Sequence, residues 1–333
     1  MKKTLLALAV MAAAGSAQAG IEVYNNEGVT VNLKGDIEVV YVQAIAENSE
    51  FKQEIQDADF GFDVRYAIND DLQFGGYWEF DGASSDVTKG TSKTANVGDA
   101  YVALYSQSMG SIKVGRTCGA LDDAGVGSDY QFGADSFFSN GSSFCSDEMI
   151  RYDLDKGMFY GTIAYAQDKN ENLKAEVNGV KDVLAIGKDG SYIDAKLGLR
   201  VADFDFTVSY GDADAAAIKA DESLLALEAR YAGIENTNLA VAYYTIDGDM
   251  ANPGTDVKRD NIYLTADYTF EKWLFAVGYN MASTDVVNSK DVDTWFVNAG
   301  YALAPNTTAY VEVGGNDADN TDTGVALGVK ASF

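Results

Sequence analysis

Val29-Thr30-Val31-Asn32-Leu33-Lys34-Gly35-Asp36-Ile37-Glu38-Val39 sets Val, Leu and Ile at odd positions and Thr, Asn, Lys, Asp and Glu at even ones. Successive side chains of a strand point to opposite faces, so this stretch reads as a β-strand with one apolar and one polar face. The same period recurs along the chain. Phe60, Phe62, Val64 and Tyr66 alternate with Asp59, Gly61, Asp63 and Arg65, and Ile193, Ala195, Leu197 and Leu199 with Asp194, Lys196, Gly198 and Arg200. Ile262, Leu264, Ala266, Tyr268 and Phe270 alternate with Asn261, Thr265, Asp267 and Thr269, and Val325, Leu327, Val329, Ala331 and Phe333 close the chain in the same way.

Counting such segments predicts about sixteen strands, an even number within the range of bacterial membrane barrels. They start near Val29, Asp59, Leu72, Val97, Ser111, Glu148, Met158, Ser191, Phe204, Ser223, Leu239, Asn261, Trp273, Thr294, Thr307 and Gly324. The connections alternate in length. Tight turns at Asn69-Asp70-Asp71, Ala202-Asp203, Glu271-Lys272 and Ala304-Pro305-Asn306 interleave with longer polar loops such as 118–147 and 168–190. Short turns on one rim and long loops on the other describe an up-and-down barrel and not a Greek-key sandwich. A charge facing lipid costs about 2–4 kcal/mol for Lys or Arg, so the apolar face is expected outside and the polar face around a wet lumen. Tyr66, Tyr231, Phe270, Trp273, Tyr301 and Phe333, beside short turns, are expected to form one interfacial girdle.

Residues 1–19 read as a signal peptide that is cleaved after export. Lys2 and Lys3 precede an apolar run from Leu5 to Ala14, and Ala17-Gln18-Ala19 is a small-residue cleavage site. Residues 20–333 then form the barrel. The chain is acidic, with 24 Lys and Arg against 51 Asp and Glu, a formal charge of −27. Nucleic-acid binding needs a basic stripe, and none is present. Histidine is absent, which removes the usual general base, imidazole-activated nucleophiles and imidazole metal ligands. No enzyme, no cofactor and no metal site is expected. Asp317, Asp319 and Asp322 lie in a loop without the Gly and bidentate Glu of an EF-hand.

The loop 118–147 is the longest and the least like a solvated loop. It carries Asp122-Asp123, Asp129, Tyr130-Gln131-Phe132-Gly133-Ala134-Asp135 and Phe137-Phe138. Such a mixture of aromatic and small residues needs a surface to pack on, and a wide barrel offers its inner wall. Cys118 and Cys145 bracket this loop, and an exported chain meets an oxidising compartment. A disulfide between them would close the loop's base and add about 3 kcal/mol by loop closure.

The chain resembles the general diffusion porins of Gram-negative outer membranes, nearest to the OmpU/OmpT-like kind of the vibrios. The resemblance covers essentially all of residues 20–333. It is carried by Val31-Asn32-Leu33-Lys34-Gly35, Trp78-Glu79-Phe80, Gly110-Ser111-Ile112-Lys113-Val114-Gly115-Arg116, Ile150-Arg151-Tyr152-Asp153 and the terminal Phe333. It implies a homotrimer of sixteen-stranded antiparallel transmembrane barrels, each with its third loop folded inward as an eyelet. It also implies a terminal Phe333 read by the outer-membrane assembly machinery.

The family's loop motif resembles Pro-Glu-Phe-Gly-Gly-Asp. Tyr130-Gln131-Phe132-Gly133-Ala134-Asp135 stands in its place, without the proline and with Gln131 for the acid. Enteric relatives carry a basic ladder on the facing wall; the matching positions here are Asp36, Asp59 and Gly98. Arg65, Arg151, Arg200 and Arg230 point inward by parity, but inward acids such as Asp36, Asp59, Glu79 and Asp99 outnumber them. The expected function is passive diffusion of small hydrophilic solutes and ions with a cation preference, since acid rings favour cations. The pore residues expected to set it are Asp36, Asp59, Arg65, Glu79, Asp129, Gln131, Asp135 and Arg151. Outer-membrane lipid and lipopolysaccharide are the expected surroundings. The alternatives left open are a sugar-specific porin, which needs an inward aromatic track beyond Tyr77, Tyr101, Tyr160 and Tyr310, and an adhesin.

Overall fold

The computed structural model describes residues 20–82, 96–133, 144–167, 174–177, 180–185, 190–215, 220–249, 256–286 and 289–333. The leader 1–19 and the loop residues 134–143, with Asp135 and Phe137-Phe138, lie outside the described residues.

Among the described residues nineteen strands follow in order: β1 (Ile21–Asn26), β2 (Val29–Gln43), β3 (Lys52–Ala67), β4 (Leu72–Asp81), β5 (Asn96–Ser106), β6 (Gly110–Cys118), β7 (Cys145–Asp155), β8 (Phe159–Gln167), β9 (Lys174–Val177), β10 (Val180–Ala185), β11 (Ser191–Val201), β12 (Phe204–Ala215), β13 (Ala220–Ile234), β14 (Thr237–Asp249), β15 (Asp256–Phe270), β16 (Trp273–Thr284), β17 (Val292–Ala304), β18 (Thr307–Asn316) and β19 (Gly324–Ser332). β2 to β8 and β11 to β19 are the wall of a closed antiparallel barrel of sixteen strands, each paired with its sequence neighbour. β8 pairs with β11, and β9 and β10 form a hairpin of their own between them. The ring closes where β19 pairs with the second half of β2, from Asp36 to Gln43.

The seam is shared between the two chain ends. β1 pairs with the first half of β2, from Val29 to Leu33. Between the two, Gly35 and Phe333 exchange both backbone hydrogen bonds at 2.9 Å. Both halves of β2 are thus paired at the seam, as lipid requires of backbone polar groups.

Alternation decides which side chains meet lipid. Phe62, Val64, Trp78, Leu197, Leu264 and Val277 lie on the exposed outer face, while Glu38, Asp63, Asp194, Glu228, Asn298 and Glu312 on the other parity are buried within. Beside the short turns, Trp273 packs on Tyr301 (4.8 Å between centroids) and Phe204 on Tyr231 (4.6 Å). The tightest turns use left-handed backbone at Glu27, Ala202 and Glu271, the conformation that matches strand twist in two-residue hairpins.

Several strands run further than the alternation alone indicates. β3 begins at Lys52 and not near Asp59, and β15 at Asp256 and not near Asn261. Lys52-Gln53-Glu54 and Asp256-Val257-Lys258-Arg259 are polar on both faces, or nearly so, because the sheet continues past the bilayer into water. β1 is also absent from the expected strands; it is short, and all its residues, Ile21, Val23 and Tyr24 included, are exposed.

Candidate functional site: the lumen wall and the loop against it

From Cys118 the chain leaves β6, makes a single 3₁₀ turn at Leu121–Asp123 and continues without regular structure to Gly133. Irregular backbone carries unpaired N–H groups, and buried ones need acceptors. The polar parity of the wall supplies them as carboxylates. Asp194 on β11 accepts the Leu121 N–H at 2.8 Å, and Glu228 on β13 accepts that of Gly125 at 2.7 Å. Asp267 on β15 accepts the Ser128 hydroxyl at 2.8 Å. Glu312 on β18 accepts three successive N–H groups, from Tyr130, Gln131 and Phe132, each at 2.7 Å. The loop is thus tied to strand after strand around the polar face.

Apolar contacts complete the attachment. Leu121, Val126 and Phe132 are buried in one cluster with wall residues Val40, Val42, Leu224, Tyr244, Ile246 and Phe296. The lumen-facing parity is therefore apolar where the loop covers it. Phe132 is seated over Gly314 and Gly324, where an added Cβ would fall 2.3 and 2.6 Å from its side chain. Tyr130 stacks on Tyr310 with centroids 3.9 Å apart. Gln131 reaches from the loop to both Glu38 (3.1 Å) and the Tyr310 hydroxyl (3.2 Å), and accepts a hydrogen bond from Gln56.

At the loop's root Cys118 and Cys145 face each other in the β6–β7 register and are joined as a disulfide. Arg151 holds the next residues, donating to the carbonyls of Cys118 (3.0 Å) and Gly119 (2.8 Å) and to Asp123 (3.0 Å). Lys196 also reaches Asp123, at 3.2 Å. Burial pushes the Asp123 carboxyl up, but Lys196 and Arg151 outweigh it and hold it below the ordinary aspartate value. Burial and the neighbouring Asp123 charge raise Asp122, and burial with Glu312 and Asp267 nearby raises Asp129.

The other expected pore residues sit on β2 to β5. Asp36, Asp57 and Asp59 bring carboxylate oxygens within 4.8 Å of one another, and the Asp36 N–H donates to Asp59. Glu79 accepts from the Tyr77 hydroxyl (2.9 Å) and the Asp99 N–H (2.8 Å). Among the described residues no Lys or Arg forms an ion pair with Asp36, Asp59, Glu79 or Asp99. Arg65 turns instead to Asp63 (2.7 Å) and lies 3.5 Å from the Tyr105 ring centroid. The structure therefore separates the expected residues into two groups. Asp129, Gln131 and Arg151 belong to the loop and its attachment, while Asp36, Asp59, Glu79 and Arg65 line β2 to β4.

The anchoring carboxylates Glu228 and Glu312 were not among the expected site residues. Their parity, between Leu227 and Ala229 and between Val311 and Val313, is the signal that points them inward. The inward aromatics also exceed the four expected: Tyr192, Tyr244 and Tyr263 are buried on the same parity. Tyr192 and Tyr244 lie in the cluster with the loop.

A closed barrel, apolar outside and polar within, with a loop tied along its polar face, defines an outer-membrane β-barrel channel. The chain belongs to the Gram-negative porin family, whose model matches residues 5–321. It is 29% identical over 357 residues to porin-like protein H of Photobacterium profundum, covering 100% of both chains. It is 28% identical to outer membrane protein U of Vibrio parahaemolyticus, over 97% of this chain and 92% of that one. In fold it is similar to OmpT of Vibrio cholerae solved in its trimer form, with a TM-score of 0.70 at 16% identity, over 92% of this chain and 100% of that one. The protein is accordingly placed in the outer membrane.

Proposed function

We propose that this chain is a general diffusion porin that passes small hydrophilic solutes and ions, with a preference for cations set where the loop after β6 narrows the lumen. The observation that carries this reading is the charge arrangement at that level. Asp36, Asp59, Glu79 and Asp99 have no cationic partner among the described residues, whereas Arg65 and Arg151 are engaged by Asp63, Asp123 and Asp153. Acids without counter-charges in a narrow aqueous path raise the local cation concentration. Asp135, which lies outside the described residues, is proposed as a further acid of this set.

The assembly we propose is a homotrimer, as in the trimer form of the Vibrio cholerae relative. Export through a cleaved leader 1–19, insertion by the assembly machinery through Phe333, and contact with lipopolysaccharide around the long loops complete the proposal. Migration at trimer size on an unheated gel tests the assembly.

Planar-bilayer recording in a salt gradient tests the channel. Ohmic conductance with a cation-selective reversal potential is expected, and the triple variant Asp36→Asn, Asp59→Asn, Glu79→Gln is expected to move that potential toward zero. A barrel that inserts but does not conduct would refute the channel. Anion selectivity would refute the charge assignment alone.

A further inference from the structure

Toward the short turns Lys and Arg side chains join the acids of the lumen wall, Lys34 and Arg65 both pairing with Asp63. Asp36 and Asp59 lie further from those turns than Lys34 and Arg65 on their own strands β2 and β3. Further round the wall, Arg151 on β7 and Lys196 and Arg200 on β11 line a recess of about 480 Å³ whose rim includes the short β5–β6 turn. Its volume falls within the range of roughly 300–1,000 Å³ typical of small-molecule sites.

The hydrogen-bonding capacity of this recess is unbalanced. Three acids, Asp123, Asp153 and Asp155, line it beside the three cations, and each is engaged by them. Asp153 accepts from Arg151 and from the Thr162 hydroxyl, each at 2.9 Å, and lies 3.5 Å from Lys113. Asp123 accepts from both Arg151 and Lys196 through one oxygen. The cations are not exhausted, since an ammonium has three donors and a guanidinium five. Among the described residues Lys196 donates only to Asp123, and the Nη2 of Arg200 donates to nothing, while its Nε lies 3.6 Å from Asp205. The Arg200 guanidinium is also held in place, 3.9 Å from the Tyr160 ring centroid and bonded to Asp155 and the Gly157 carbonyl. Spare donors on positioned cations, beside acids whose oxygens are shared, suit a ligand rich in acceptors and negative charge.

We propose that this recess is a resting site for small oxyanions, carboxylate- or phosphate-bearing solutes, reached from the short-turn side. The acids Asp36, Asp59, Glu79 and Asp99, which form no ion pair among the described residues, oppose anions arriving from the long-loop side, so the site is sided. The inference rests on the reading of the lumen as a water-filled channel.

Citrate is the probe. In oriented single channels, citrate on the short-turn side is expected to reduce the current saturably and with voltage dependence. Citrate on the long-loop side is expected to act markedly more weakly. The double variant Lys196→Gln, Arg200→Gln, checked for folding by its unheated gel mobility, is expected to need about ten-fold more citrate, as the loss of charge-assisted hydrogen bonds implies. Lys290→Gln, on an exposed loop where Lys290 pairs with Asp319, is expected to leave the block as in the parent. Equal block from both sides, or block unaltered in the double variant, overturns the proposal. A conducting channel that citrate never blocks overturns it too, while leaving the porin reading intact. A non-conducting barrel overturns the porin reading, and calorimetric titration of citrate into the folded protein in detergent then decides the site: binding weakened in the double variant supports it, and no binding ends it.

Discussion

Glu312 is fully buried, and what balances its charge is backbone: three consecutive N–H groups from Tyr130 to Phe132, with the Asn298 amide at 2.8 Å. Oriented N–H dipoles form an anion nest, here occupied by the protein's own side chain. Glu312→Gln keeps the size and removes the charge, and its amide nitrogen cannot accept. We expect a loss of about 1.5–3 kcal/mol in urea unfolding, because hydrogen bonds to charged groups are the strong ones, together with increased single-channel current noise as the loop loosens. Asp123 works in the opposite sense to an unpaired acid. Its folded carboxyl titrates below the ordinary aspartate value, so its stabilising contribution is complete above that value and is lost as pH falls through the lower one. Current noise is expected to rise in acid in the parent, and to show a smaller pH dependence in Asp123→Asn.

At the scale of elements, the loop after β6 is held by three devices that act together: the disulfide at its root, the carboxylates of β11, β13, β15 and β18, and the apolar cluster under Leu121 and Phe132. Removing the disulfide with Cys118→Ser, Cys145→Ser is expected to lower stability by about 3 kcal/mol, the loop-closure value for this separation. Arg151 still holds the root carbonyls, so the loop should stay attached and the conductance change should be modest. A variant whose conductance rises to that of an unobstructed barrel would show that the disulfide alone positions the loop. Elements differ in how far their sequences reveal them. Phe60 to Tyr66 is legible as strand because lipid on one side and water on the other impose opposite demands on alternate residues. Lys52 to Gln56 is not, since both faces there meet water and no pattern is selected.

At the scale of the molecule, the barrel is an inverted globule whose apolar surface is outside. Leu264 is exposed on the outer face and Thr265, its neighbour, is buried on the inner one. Leu264→Arg is expected to cost about 2–4 kcal/mol if it lies near the bilayer midplane, read as a lowered urea midpoint for the barrel folded into vesicles. The cost should fall for outward residues nearer either rim. Closure is a property of the whole as well. Phe333 completes the seam only because β1 and β19 divide β2 between them, bringing together residues more than half a barrel apart in chain order.

The amino-acid sequence by itself determined the wall: strand number, which face meets lipid, which rim carries the short turns, and the cysteines bracketing the long loop. Each of these is a local consequence of alternation, turn chemistry or export. Tertiary structure alone decided that Glu228 and Glu312 are the loop's acceptors, that Val40, Val42 and Leu224 leave the polar lumen face apolar beneath it, and that Arg151 holds the loop's root. It also decided that Lys196 and Arg200 share a recess. These depend on which residues of distant strands arrive at one height, and that height is set by the register and closure of the whole barrel, which no local pattern contains.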